Sequence, residues 1–322
     1  MERKHWIDGL RGLCMLAILF DHTEVYYTGN NIIPYAFYVT NALTIFYFLS
    51  GYLFFHSEKE FNLSHKITSI IQHLVVPYFI FTLLISFPKW LVHGREGNYW
   101  EVIQGIFMGQ ASWFIAALII AEFIFSLIIY LSRKRLTIIT VCCLAAFSLS
   151  ALLDNELKTV PWQFQNALQA ILFLWGGYIY HVYENNFDRI NKTLLYGVSF
   201  PLLLAIKYIE HQWDMNMFIN PVDIDNYIVF LADTFLCVIL FTTLFKNLPN
   251  SRLLSWTGIN SIVYYFLCGG VPLLISMGMN TINYGYEQHY VRVIIAFIAV
   301  YFLASVITWL IMRYIPQITG RS

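Results

Sequence analysis

The sequence predicts an all-α, polytopic membrane protein with about ten transmembrane helices and both termini in the cytoplasm. Three observations predict it. Of 322 residues, 58% are hydrophobic and only 12% charged, about half the charged share of a soluble domain. The apolar residues gather into ten stretches, each near the ~20 residues that a bilayer crossing needs. The Lys and Arg residues between them divide unequally between alternate linkers, which sets orientation.

The first stretch, 9–28, lies in WIDGLRGLCMLAILFDHTEVYY. Arg3 and Lys4 precede it, but it is long and lacks a small-residue cleavage site, so it reads as an anchor rather than a signal peptide. The second, 36–56, contains ALTIFYFLSGYLF, where Ser50 and Gly51 are small enough for close helix contact. The third, 70–91, runs through SIIQHLVVPY. The fourth, 112–131, opens with SWFIAAL; Ser112 is placed to cap a helix and Trp113 to anchor it at the outer interface. The fifth, 137–153, follows Arg133-Lys134-Arg135, the clearest cytoplasmic stop. The sixth to tenth are 164–183, 193–209, 226–245, 259–277 and 290–314, with Pro201 and Pro272 interrupting the seventh and ninth. No linker is long enough for a soluble domain, so residues 1–322 read as one membrane domain with none appended.

One set of linkers holds Arg3, Lys4, Lys59, Lys66, Arg133, Lys134, Arg135, Arg189, Lys192, Lys246, Arg252, Arg313 and Arg321. The other holds Lys89, Arg95, Lys158, Lys207 and Arg292. The excess on the first set places it in the cytoplasm. Net charge is zero, which gives no reason to expect nucleic acid. The cysteines, Cys14, Cys142, Cys143, Cys237 and Cys268, all lie in apolar stretches without a CxxC or a metal-like pairing with His, so they read as small hydrophobes. The sequence contains no P-loop, HExxH or GxSxG, and nothing in it calls for a metal or a tightly bound organic cofactor.

The chemistry is expected where ionisable groups enter apolar sequence, because such groups mark functional sites. Arg11 and His22 do so on the first segment. Eleven steps of about 100° bring them within roughly 20° of one direction, about 16 Å apart along a helix. One face thus carries a cation near the cytoplasm and an imidazole roughly 20 Å deep. An imidazole of near-neutral pKa serves as a general base. Asp21 is the expected catalytic partner that orients or polarises His22; it points about 100° away on the helix, so it does so through a water or a neighbouring helix. Glu24 reads as an interfacial charge, as do Lys207, His181 and Asp154. Glu122 and Asp233 are intramembrane carboxylates that need partners, whether for structure or for function. Ser50, Ser112, Trp113, Glu122 and Asp233 are further candidates for lining a cavity.

Together these motifs resemble the acyltransferase 3 family of integral membrane O-acyltransferases. DGLRG (Asp8 to Gly12) is similar to the family's opening, and Arg11 with His22 matches its Arg-x10-His signature. FYFLSGYLF at 46–54 is similar to a second family segment and SWFIAAL at 112–118 to a third. Gly258, Ser261 and Tyr265 match a C-terminal G-x-x-S-x-x-x-Y pattern. The resemblance implies ten helices, an acyl-CoA co-substrate on the cytoplasmic side, and an acceptor hydroxyl on a glycan or lipid-linked sugar. It makes His22 the base, assigns Arg11 to the donor region, and adds Tyr265 to the candidate cavity. Two positions depart from the pattern: His73 stands where the family has Arg in its donor region, and Cys268 stands where the last motif closes with His.

The reading is a bacterial inner-membrane O-acyltransferase, an acetyltransferase acting on surface polysaccharide, with membrane lipids as surroundings. The rival class is a transporter or flippase of a lipid-linked sugar or small anion, since such proteins also bury charges and break helices.

Overall fold

In the computed structural model, residues 4–55, 61–92, 98–152 and 160–320 are described. Of the charges read above, Arg3, Lys59, Arg95, Asp154, Lys158 and Arg321 lie outside the described residues, as does the side chain of Lys89. The ends of the second and fifth apolar stretches also lie outside them.

The chain is nearly all helix. The elements are α1 (His5–Thr28), α2 (Tyr35–Tyr52), α3 (Leu63–Ile70), a π turn (Ile71–Val75), α4 (Val76–Val92) and α5 (Tyr99–Phe107). There follow α6 (Trp113–Leu131), α7 (Leu136–Leu152), α8 (Phe164–Val182), α9 (Glu184–Phe187) and α10 (Lys192–Gln212). The chain closes with α11 (Tyr227–Asn247), α12 (Arg252–Ile259), α13 (Ser261–Leu267), α14 (Gly270–Thr281) and α15 (Tyr290–Tyr314). A short antiparallel ladder, β1 (Met217–Phe218) with β2 (Asp223–Ile224), pairs Met217 with Ile224.

Among the described residues, five helical stretches are long and apolar enough to cross a bilayer, and the bent pair α13–α14 makes a sixth. Length and apolarity therefore do not by themselves carry the count of ten. The other apolar segments are diluted by polar residues that the protein buries. In α1 these are Asp8, Asp21 and Glu24; in α2, Thr40, Asn41 and Thr44; in α8, Gln165, Asn166 and Gln169. α7 is short, with 17 residues.

The chain divides into two compact units, one of residues 1–43 and 241–322, the other of residues 44–240. In the first unit α1 and α12 touch backbone to backbone. A Cβ on Gly12 would lie 2.0 Å from the carbonyl oxygen of Leu254, and one on Gly258 would lie 1.8 Å from that of Asp8. The second unit repeats the device between α2 and α8. There a Cβ on Gly51 would lie 1.9 Å from the Leu174 oxygen, and one on Gly177 would lie 1.9 Å from the Phe48 oxygen. Small residues at a crossing let membrane helices approach this closely. α15 follows the same logic, turning Val293, Ala296, Val300 and Ala304 inward while Val291, Ile298 and Phe302 stay exposed. Gly258→Ala should force α1 and α12 apart at a cost of about 3 kcal/mol, seen as a lower thermal midpoint in detergent. A midpoint within about a degree of wild type would refute the tight crossing.

The ninth apolar stretch is broken between α13 and α14 by a 47° bend. A proline inside a helix clashes with the carbonyl four residues back. For Pro272 that residue is Cys268, and the chain restarts at Gly269-Gly270, leaving Pro272 in the first turn of α14 where it is tolerated. Pro201, by contrast, sits within an unbroken α10.

Candidate active site

α1 is one uninterrupted helix from His5 to Thr28, ended by Gly29 in the left-handed conformation (φ +81°) with its N–H bonded to the Val25 oxygen. The 3.6-residue geometry that relates Arg11 to His22 thus holds over the whole interval. Both side chains are half-buried. Arg11 stands beside Gly12, at the crossing with α12. The His22 ring stacks obliquely with Tyr26 one turn on, centroids 6.5 Å apart and planes at 26°.

Asp21 is buried, and its Oδ1 accepts a 2.6 Å hydrogen bond from Asn31 Nδ2. Its carboxylate is also within electrostatic range of Tyr35, Tyr38 and the buried thiol of Cys268. Cys268, at the helix break, donates to the Tyr264 oxygen at 3.3 Å. Tyr265 is half-buried. Its neighbour Tyr264 is the more deeply fixed, stacked on Tyr301 and bonded to Ser305 Oγ at 2.7 Å. Arg11, Asp21, His22, Tyr265 and Cys268 all belong to the first unit.

Glu24 corrects an expectation. It is no interfacial charge but 0% exposed. Its Oε2 accepts from the backbone N–H groups of Ile32 (2.8 Å) and Ile33 (3.0 Å), and its Oε1 from the Tyr290 hydroxyl (2.5 Å). A carboxylate in apolar surroundings is tolerated when such donors replace water.

The remaining candidates lie in the second unit. His73 sits exposed on the π turn, with Nδ1 2.9 Å from the Ser69 carbonyl oxygen. Ser50 and Glu122 are brought together: the Ser50 hydroxyl donates to Glu122 Oε1, and Glu122 Oε2 pairs with Lys66 Nζ at 2.8 Å. Lys66 also lies over the Phe54 ring, 3.8 Å from its centroid. Ser112 precedes α6 but makes no side-chain cap, contrary to expectation; its carbonyl begins the helix by accepting from Ala116 N. Trp113 is half-buried with its ring edge-on to Phe114.

Asp233 is 1% exposed and bonds Lys207 Nζ at 2.8 Å, while Glu210 takes the same ammonium at 3.0 Å. Lys207 is therefore not interfacial, as its place near a segment end suggested, but buried between two carboxylates. His181 likewise stacks flat on Tyr52, centroids 3.9 Å apart, with Nδ1 2.7 Å from the Tyr52 oxygen.

Sequence reasoning passed over Asn31, Tyr290 and Lys66 as partners. Each contact joins residues of different elements, and helical periodicity carries no signal for such pairs. No group of three or more His, Cys, Asp or Glu side chains suited to a metal occurs among the described residues.

The structure is that of a largely apolar helical protein in which one uninterrupted helix carries both Arg11 and His22; the class of protein comes from comparison with known families. The family model described as an acyltransferase domain (Acyl_transf_3) matches residues 4–313, nearly the whole chain. The protein belongs to the acyltransferase 3 family. No curated protein and no solved structure matches it.

Proposed function

We propose that this membrane acyltransferase moves an acetyl group from cytoplasmic acyl-CoA to a hydroxyl of a cell-surface polysaccharide or lipid-linked sugar, at the bacterial inner membrane. The observation that carries the reading is the unbroken α1, which holds a half-buried guanidinium and a half-buried imidazole about 16 Å apart on one side. His22 takes the acceptor's proton as the hydroxyl oxygen attacks the thioester carbonyl. The C–O bond forms, the C–S bond breaks, and CoA leaves as the thiol with the proton that His22 returns. Arg11 holds donor phosphate by charge-assisted hydrogen bonds; the family resemblance makes His73 a donor-binding candidate in its own right. Asp21, fixed by Asn31, shapes the field around the imidazole. Tyr265 joins them as a lining residue. Ser50 and Glu122, joined with Lys66, and Asp233, joined with Lys207, act as supports of the helices, and Ser112 and Trp113 are candidates for lining the cavity.

Purified protein given labelled acetyl-CoA and the surface glycan of a strain lacking this protein is expected to release CoA and label the glycan. The 47° break between α13 and α14 is a feature that transporters also use. Movement of a labelled lipid-linked sugar across vesicles without any acyl transfer would assign the protein to that class instead.

A further inference from the structure

We propose that Glu24 is a positioning residue for the acceptor side of the site. Its carboxylate anchors the strap formed by residues 29–34 over the end of α1, and through the strap it sets Asn31 against Asp21, next to His22. The inference rests on the acyl-transfer reading.

At its start the strap is tied to α1 by Thr28, whose hydroxyl donates to the Asn30 oxygen (2.7 Å) and accepts from the Asn30 N–H (3.2 Å). Asn31 and Ile32 are exposed, Ile32 at 41%, so apolar packing contributes little there. Two carboxylates, three residues apart on α1 and hence on neighbouring faces, take three consecutive strap residues. Asp21 binds the Asn31 side chain, and Glu24 binds the N–H groups of Ile32 and Ile33. Gly29 starts the strap in a conformation that side-chain-bearing residues rarely adopt. The other Glu24 oxygen receives the Tyr290 hydroxyl from α15, which fixes the carboxylate's own rotation. Carboxylate oxygens only accept, and here both are met by donors. Nothing in this arrangement brings Glu24 to a reacting atom. It acts through Asn31 and Asp21.

The test uses the full chain in detergent with two readouts, hydrogen exchange of the Ile32 and Ile33 amides and steady-state transfer from labelled acetyl-CoA to the glycan. Glu24→Ala is expected to speed exchange at both amides at least ~10-fold. It should lower kcat/KM for the acceptor by ~30-fold, the scale of lost hydrogen bonds to a charged group, and leave KM for acetyl-CoA within about twofold. Glu24→Gln keeps a carbonyl oxygen for the two amides and an amide to donate to Tyr290; it should return both readouts to within about threefold of wild type. Asn31→Ala should reproduce most of the kinetic loss and add nothing in the Glu24→Ala background, because the two act in series.

Wild-type exchange in Glu24→Ala would overturn the proposal. So would fast exchange with unchanged transfer, or a Gln variant that restores the strap and not the rate. Should Glu24→Ala not fold, Tyr290→Phe removes one of the three bonds and is expected to shift both readouts the same way by a smaller factor; no shift overturns the proposal. An inactive wild type would defeat the acyl-transfer reading alone, and the exchange data would still decide whether Glu24 holds the strap.

Discussion

His22→Ala is expected to reduce acyl transfer by about 10²–10⁴-fold, the usual contribution of a general base, while the protein stays folded. The second half follows from packing. His22 is only half-buried, so truncation leaves a site open to its surroundings rather than a closed cavity in the core. The α1–α12 crossing depends on Gly12 and Gly258, ten or more residues away along α1. Transfer is read as label incorporated into glycan, and folding as the thermal midpoint in detergent. Turnover within about threefold of wild type, in a folded variant, would remove His22 as the base. A collapsed midpoint would instead make it a structural residue, the role a polar group takes when it ties membrane helices together.

The largest stability effect is expected at Lys207. Its ammonium is shared by Asp233 and Glu210, all three under 10% exposed. Removing one partner of a buried ionic group leaves uncompensated charge and costs about 3–5 kcal/mol. Lys207→Met should therefore lower the unfolding midpoint sharply. Adding Asp233→Asn and Glu210→Gln, which remove the orphaned charges, should recover most of the loss. A single variant that unfolds like wild type would show that the carboxylates find water or another cation. Because the cluster is absent from the proposed chemistry, the triple variant should retain measurable transfer.

Each of the ten apolar segments overlaps a helix, because a run of Leu, Ile, Val and Phe bounded by charge has few other ways to satisfy its backbone. What the sequence left hidden has a common cause. α5 and α12 are nine and eight residues long, too short to register as apolar runs, and they sit where linkers were expected. The break before α14, by contrast, was legible, because Pro272 opposes the carbonyl of Cys268 four residues earlier; the same rule failed at Pro201, where α10 runs on unbroken. In the site, Arg11 and His22 were legible because one helix carries both. Glu24 was misread because its partners arrive from the strap and from α15, and a charge near a segment end ordinarily faces water. Lys207 was misread for the same reason, its two carboxylates lying one turn along α10 and on α11. Gly51 was legible as a small contact residue, while Gly12 and Gly258 were read only as motif positions; the structure gives one reason for all three, each lying against a carbonyl oxygen of another helix.

The meeting of α1 with α12 also has a consequence for biogenesis. Gly12 leaves the ribosome about 240 residues before Leu254, which at the usual rate of synthesis is a delay of roughly 12–50 s. During that interval the helix bearing Arg11 and His22 resides in the bilayer without the backbone it will rest on, its polar groups open to passing lipids, chaperones or quality-control proteases. A nascent chain arrested before α12 should accordingly be degraded faster than one arrested just after it.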